Sequence, residues 1–466
     1  MIRRTWTILG ALLVSASLAM PVWAEDADLE RRLQDLERKL QELEGRPMAP
    51  PVAAPPRPAA APEEGKRLQE LAEPRTPDKQ YGSTMQGSGG LIYARPFVAS
   101  PKAIVGGYTD IEYFNRANNG GVSFFDQHRL VPFIYGDVSD RVKFAAEIEI
   151  EHGGRDILGG GQGGMELGVE FMAIDYLITE PLNLRAGVIL LPLGKFNLLH
   201  DAPLRDLTDR PLVDQFIIPA ALRQAGIGMY GTFYPTRLSK LDYEVYLTNG
   251  FTGFRETPTM ADPAATTGDI TGSSGLRGAR LGRANDNNEG KSWVGRVAFS
   301  PILGIEVGGS GFYGSYDPRL GRKLSIYAVD WTFQRGPWEL IGEAAWAHAE
   351  DNRLELDGTT PSGLPERMNG YYVQVNYHFL PEFLVRLAPS HFRPEVSTFT
   401  AVVRWEETDL GQGISGNSTQ FNELQRATFG LNFRPTEDTV MKVDFLYSPK
   451  SIGSENGGTK PVQDTA

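Results

Sequence analysis

From residue 101 onward the chain alternates apolar and polar positions in long runs. Val142–Glu151 is the cleanest of them: Val142, Phe144, Ala146, Ile148 and Ile150 fall on one side, Lys143, Ala145, Glu147, Glu149 and Glu151 on the other. A period of two makes a strand with one apolar and one polar face. At about 3.4 Å per residue such a run spans roughly 30 Å, enough for a tilted path through an outer membrane. Strands in soluble sandwiches are shorter, typically about 5–6 residues. The same pattern predicts fifteen strands: 103–114, 124–136, 141–151, 165–178, 183–192, 225–234, 241–249, 292–299, 305–314, 323–333, 338–349, 368–379, 396–407, 425–433 and 439–447.

The connections separate a membrane barrel from a sandwich. Tight turns rich in Pro, Gly or Asp are predicted at 137–140, 179–182, 235–240, 301–304, 334–337 and 434–438. Long polar segments, at 152–164, 195–224, 250–291, 350–367 and 408–424, alternate with them. Outer-membrane barrels alternate in this way because periplasmic turns are short and external loops long. Pro381–Pro389 falls where a short turn is due and reads as a turn enlarged by a helical turn. Aromatics near strand ends, among them Phe124, Phe133, Tyr135, Trp293, Phe299, Trp331, Phe333, Trp338, Trp405 and Tyr447, are assigned to interfacial girdles on the apolar face. An odd strand count leaves a barrel one strand short. Either the sequence as given lacks a returning strand or the count has missed one, and the first is preferred.

The N-terminal quarter differs. Residues 1–24 read as a signal peptide, with Arg3 and Arg4 before a short apolar stretch and Val22-Trp23-Ala24 as the cleavage site. Leu29, Leu33, Leu36, Leu40 and Leu43 take heptad positions in a short coiled coil over 25–46. Residues 47–100 form a Pro- and Gly-rich linker, with polyproline II favoured in its first part. The barrel is placed at 101–448 and a polar tail at 449–466. An alternative use of the N-terminal segment is a structural tether to peptidoglycan or a periplasmic partner.

Composition removes several classes of function. With no Cys, thiolate metal sites, cysteine nucleophiles and disulfides are excluded. A net charge of −12 argues against nucleic acid as a partner. The six His are dispersed without metal-ligand spacing, so neither a metal site nor a cofactor is expected. The Gly159–Gly164 run lacks the Gly-Lys-Ser/Thr of a phosphate loop, and Ser123 and Ser397 have no partner pattern for catalysis. No enzyme activity is expected.

Three stretches resemble the phosphate-selective porin O and P family and related outer-membrane porins. They are Gly187–Asn197 with its Pro-x-Gly turn, Thr208–Val213 with an Asp-Arg-Pro step, and the Gly-alternating Ala225–Gly231; Phe392–Arg404 is similar to the late part of such porins. The resemblance implies about sixteen strands, a homotrimer in the bacterial outer membrane, and a loop folded into the lumen. That loop would be 195–224, with Lys195, Arg205, Arg210 and Arg223 against Asp201, Asp206, Asp209 and Asp214. Phosphate selection calls for a ladder of bare cations. Equal numbers of each sign can instead pair with one another. Alternation alone assigns Lys143, Glu147, Glu149, Glu151, Arg185, Asp242, Glu244, Arg296, Glu339 and Glu343 to the pore lining. The expected function is passive diffusion of small hydrophilic solutes or ions, with an anion or phosphate preference left open. Hairpin length leaves two registers open for the second and third strands. Either His128 or Arg129 lies opposite Glu149, and the Arg129 register is preferred because it compensates more charge.

Overall fold

The structure, a computed structural model, describes residues 103–114, 123–152, 166–256, 266–268, 270–280, 289–317, 321–354, 362–414 and 422–450. The signal peptide, coiled coil and linker predicted from sequence, with nearly all of the tail, lie outside the described residues.

Fifteen strands form one antiparallel sheet in which each pairs with the next along the chain. They are β1 (Ala103–Phe114), β2 (Phe124–Asp137), β3 (Val142–Glu151), β4 (Glu166–Thr179), β5 (Leu182–Leu190), β6 (Arg223–Phe233), β7 (Lys240–Thr248), β10 (Ser292–Ser300), β11 (Ile305–Ser315), β12 (Lys323–Arg335), β13 (Trp338–Ala349), β14 (Arg367–Phe379), β15 (Thr398–Gln412), β16 (Glu423–Thr436) and β17 (Thr439–Lys450). The intervening β8 (Phe254–Glu256) and β9 (Thr266–Gly268) form a separate small hairpin that the sequence pattern missed. Long and short connections alternate as expected. The enlarged short one carries α2 (Glu382–Leu387), the helical turn predicted there. The preceding helix, α1 (Leu212–Phe216), belongs to the connection between β5 and β6.

The two faces of the sheet differ. Outward positions carry large apolar side chains in the open, such as Val329, Phe333, Val403, Phe429 and Tyr447. Inward positions are buried, many of them charged. Three expected girdle aromatics are corrected: Phe124, which packs against Phe114 on the His128 face, and Phe133 and Tyr135 all face inward. Phe133 pairs with Glu147, and Tyr135 packs against the cluster of Ala145, Phe171, Leu190, Leu198 and Ala221. For the last two the cause is the register of β2, which puts Arg129, Val131, Phe133 and Tyr135 on one face.

The sheet rolls up around residues 191–222. Tyr108 of β1 donates to Asp201 at 3.3 Å, and Lys442 of β17 donates to the carbonyl of the adjacent Ala202 at 2.6 Å. The two edge strands therefore reach neighbouring residues of one connection. The resemblance implied about sixteen strands; the described residues supply fifteen to this sheet, with β1 and β17 at its ends.

Candidate functional site

The 191–222 connection leaves β5 through a tight turn. Gly194 sits at φ 71°, in the left-handed region, and a Cβ there would strike the Glu343 carboxylate. That close approach lets the backbone N–H groups of Lys195 and Phe196 donate to Glu343 Oε2 at 2.9 and 3.1 Å. Asn197 closes the neck: its Nδ2 donates to the carbonyls of Leu191 (2.8 Å) and Leu222 (3.0 Å), and its Oδ1 accepts from Leu222 N–H (2.7 Å). Two 3₁₀ turns, Phe196–Leu198 and Ala202–Leu204, and then α1 carry the chain across the interior.

The loop's charges were expected to pair among themselves. They engage mainly the wall and the loop backbone instead. Lys195 Nζ lies 3.0 Å from Glu306 Oε1 and donates to Thr332 at 2.9 Å. Asp206 accepts from Asn376 at 2.8 Å, and Asp209 from Arg426 at 3.0 Å. Arg205 donates to the Thr208 carbonyl at 2.8 Å, and Arg210 to that of Ala220. Arg223 opens β6 rather than lying in the loop, and its NH1 is 3.6 Å from Glu170 Oε1. Asp214 is fully buried with its carboxylate against that of Glu343, and no N–H or hydroxyl donates to either of its oxygens. Burial first, and the nearby Glu343 carboxylate second, hold Asp214 well above the usual carboxylate range.

Most of the inward residues predicted from alternation are held in ion pairs or hydrogen bonds, whereas Glu147 lies against the carboxylates of Glu170 and Asp201. Arg129 Nε contacts Glu149 and Glu151 at 2.9 and 3.2 Å, and Lys143 meets Asp137 at 2.8 Å. The preferred register is two residues off: Arg129 stands opposite Glu151, yet it still reaches Glu149 because a two-residue slip keeps the face. Arg185 grips Asp175 through two 2.7 Å bonds and lies 4.0 Å from Glu244. Arg296 holds Asp330 at 2.6 Å and Glu306 at 3.4 Å. Asp242 pairs with Lys240 at 2.8 Å, and Glu339 accepts from Asn376 at 2.8 Å. Sequence reasoning missed the tightest anchor. Glu406 is fully buried, accepts from Arg404 and Arg426 at 2.9 Å each, and receives the N–H of Leu212 at 2.6 Å.

An apolar layer on the same inner face was also unforeseen. Tyr246, Val294, Phe312, Leu324, Ile326, Ala345, Ala347, Met368, Leu410 and Leu424, at the strand ends nearest the long connections, bury against Leu212, Val213, Phe216, Ile217, Phe251 and Leu276. The described inner face is therefore apolar at that end and polar below it. A cavity of about 60 Å³ lies beside Lys195, Arg205, Asp206, Gln374 and Arg404 and is large enough to hold water.

No family model matches the chain. An uncharacterised protein of Aquifex aeolicus (strain VF5) is 28% identical over 355 residues, covering 73% of this chain and 74% of its own. Among solved structures, a loop L8 deletion mutant of the Vibrio cholerae outer-membrane protein OmpT overlaps 75% of this chain and 94% of its own, at TM-score 0.41 and 9% identity. The outer-membrane channel DcaP of Acinetobacter baumannii overlaps 74% and 91%, at TM-score 0.41 and 12% identity. Salmonella typhi OmpF, in complex with daunomycin, overlaps 74% and 96%, at TM-score 0.39 and 10% identity.

Proposed function

We propose that the strands cross a bacterial outer membrane, and that the rolled sheet is a channel for passive diffusion of small hydrophilic solutes and ions. The segregation of the two faces carries this proposal. Exposed Val, Phe, Trp and Tyr side chains cover the outward face of strand after strand, far beyond the patch of a few hundred Å² that a soluble monomer tolerates. Hydrocarbon accepts that face, and the strand ladders satisfy the backbone groups that lipid cannot. The 191–222 connection narrows the interior. It is held by paired charges, so flux is limited by width more than by sign.

Phosphate selection finds no support in this arrangement, because Lys195, Arg205, Arg210 and Arg223 are each engaged by a carboxylate or a carbonyl. In the same proposal the heptad over 25–46 lies in the periplasm and assists a homotrimer; deleting it and finding the oligomer size unchanged would remove that part. Solute uptake tests the channel. Proteoliposomes carrying the full-length protein should swell in small sugars at rates that fall steeply with sugar size. Swelling no faster than that of empty liposomes for every sugar would reject the proposal.

A further inference from the structure

One group of side chains between the loop, β3 and β4 gathers more carboxylates than its cationic neighbours balance. Glu170 of β4 and His200 and Asp201 of the loop bring a ligand atom each within 4.8 Å of one another. The Glu147 carboxylate of β3 lies against those of Glu170 and Asp201, and Glu149 lies beside Glu170. Glu147 and Glu170 are each 1% exposed; Glu147 Oε1 faces other carboxylates rather than an N–H or hydroxyl donor, and Glu170 Oε1 faces Arg223 at 3.6 Å, beyond hydrogen-bond distance. The cations facing the group are already placed: Arg129 on Glu149 and Glu151, Arg223 at 3.6 Å from Glu170. Five carboxylates thus face two guanidinium groups and one imidazole. Tyr108 donates to Asp201 at 3.3 Å, which adds a hydrogen bond but no charge.

The tautomer of His200 sharpens the point. Its Nδ1 lies 2.9 Å from the Asn197 carbonyl, which can only accept, so Nδ1 carries the proton. Nε2 then points at Glu170 Oε2 from 3.0 Å. A lone pair and a carboxylate oxygen at that distance need a cation between them, either a second proton or a metal ion. Two donors each about 2.1 Å from an ion stand roughly 3.4 Å apart on a tetrahedral Zn²⁺ and roughly 3.0 Å apart on an octahedral Mn²⁺, so the separation matches the second and comes within a few tenths of an ångström of the first. A backbone carbonyl fixing the far nitrogen is also how a metal-bound imidazole is usually oriented.

We propose that Glu170, His200 and Asp201, with Glu147 beside them, form a divalent-cation site that ties the loop to β3 and β4. One imidazole with several carboxylates suits Zn²⁺, and Mn²⁺ next. Spacing along the chain could not reveal this site, because β4 and the loop approach only in the folded sheet.

The test is metal binding by the full-length protein in detergent, stripped with chelator and then titrated with Zn²⁺. The expected result is one Zn²⁺ retained per chain through gel filtration and lost in His200→Gln and Glu170→Gln. Nitrogen hyperfine coupling in the EPR of the Mn²⁺ form should disappear in His200→Gln, and this holds even if Glu170→Gln fails to fold. Zn²⁺ retention equal in wild type and His200→Gln would overturn the proposal in favour of a His200 imidazolium paired with Glu170. So would retention lost only in His152→Ala, which would assign the ion to the more exposed Asp126, His128 and His152. None of these readouts depends on conductance, so failure of the channel proposal would leave them intact.

Discussion

Glu406→Gln should release the loop. In the folded chain Glu406 receives Arg404 Nε and Arg426 Nε at 2.9 Å, Arg426 NH2 at 3.2 Å and Leu212 N–H at 2.6 Å, all without exposure to solvent. Gln keeps an acceptor for Leu212 but removes the charge, leaving Asp209 at 3.0 Å as a carboxylate partner of Arg426. Removing one partner of a buried ion pair costs about 3–5 kcal/mol. Undocking the loop relieves that cost by returning water to Arg404 and Arg426, so the penalty falls on the docked state. Taking the low end, about 3 kcal/mol, and 1.4 kcal/mol per tenfold, the docked-to-undocked ratio falls roughly 100-fold. The chain has no Cys, so Val213→Cys adds a unique thiol at a fully buried position in α1, next to Leu212. Its labelling by a polar, membrane-impermeant maleimide should accelerate by about the same factor when Glu406→Gln is added, since the rate follows the open population. Equal labelling rates in the two backgrounds, with the sheet intact by circular dichroism, would refute the docking role of Glu406.

Three further outcomes are expected. Because Asp214 is held above the usual carboxylate range, loop docking is favoured below the ordinary Asp value and weakens as pH rises towards the raised one; the labelling ratio of wild type to Asp214→Asn should therefore climb with pH, and a flat ratio would contradict it. Asn197→Ala leaves the buried Leu222 N–H without an acceptor, while the Leu191 and Leu222 carbonyls keep the N–H groups of Leu193 and Leu191. The cost is that of one unsatisfied group, about 1–3 kcal/mol, and limited proteolysis should then cut within 191–222 while sparing the strands. Val329→Arg, on the outward face of β12, should lower refolding stability in lipid bilayers by about 2–4 kcal/mol, measured by denaturant titration, and no loss would place that face elsewhere than in lipid.

The strands were legible because period-two alternation and turn chemistry are local. Ala103–Phe114 and Trp338–Ala349 match their predicted bounds, and most other strands shift by a residue or two. The longest discrepancy is β15, which runs on to Gln412 because Glu406, Thr408 and Leu410 continue the inward face. The apolar inner layer was hidden because Leu324, Ile326 and Ala328 alternate with Tyr327 and Val329, and a strand apolar on both faces does not say which face looks inward. The direction of the loop was suggested by resemblance, but its partners were not. Asp209 and Arg426 stand 217 residues apart, and no local pattern joins them. The β2–β3 register escaped for a smaller reason: the observed pairing of Arg129 with Glu151 is neither of the two weighed, and it lies two residues from the preferred one, a slip that keeps every side chain on its face and so leaves the charge argument for Arg129 unchanged.

Single-channel recording reads the proposed channel without intermediary. Full-length protein purified in detergent and added to a planar lipid bilayer should produce discrete, upward current steps of uniform size, ohmic around zero voltage. A bilayer that stays electrically silent while the protein is demonstrably inserted would contradict the channel.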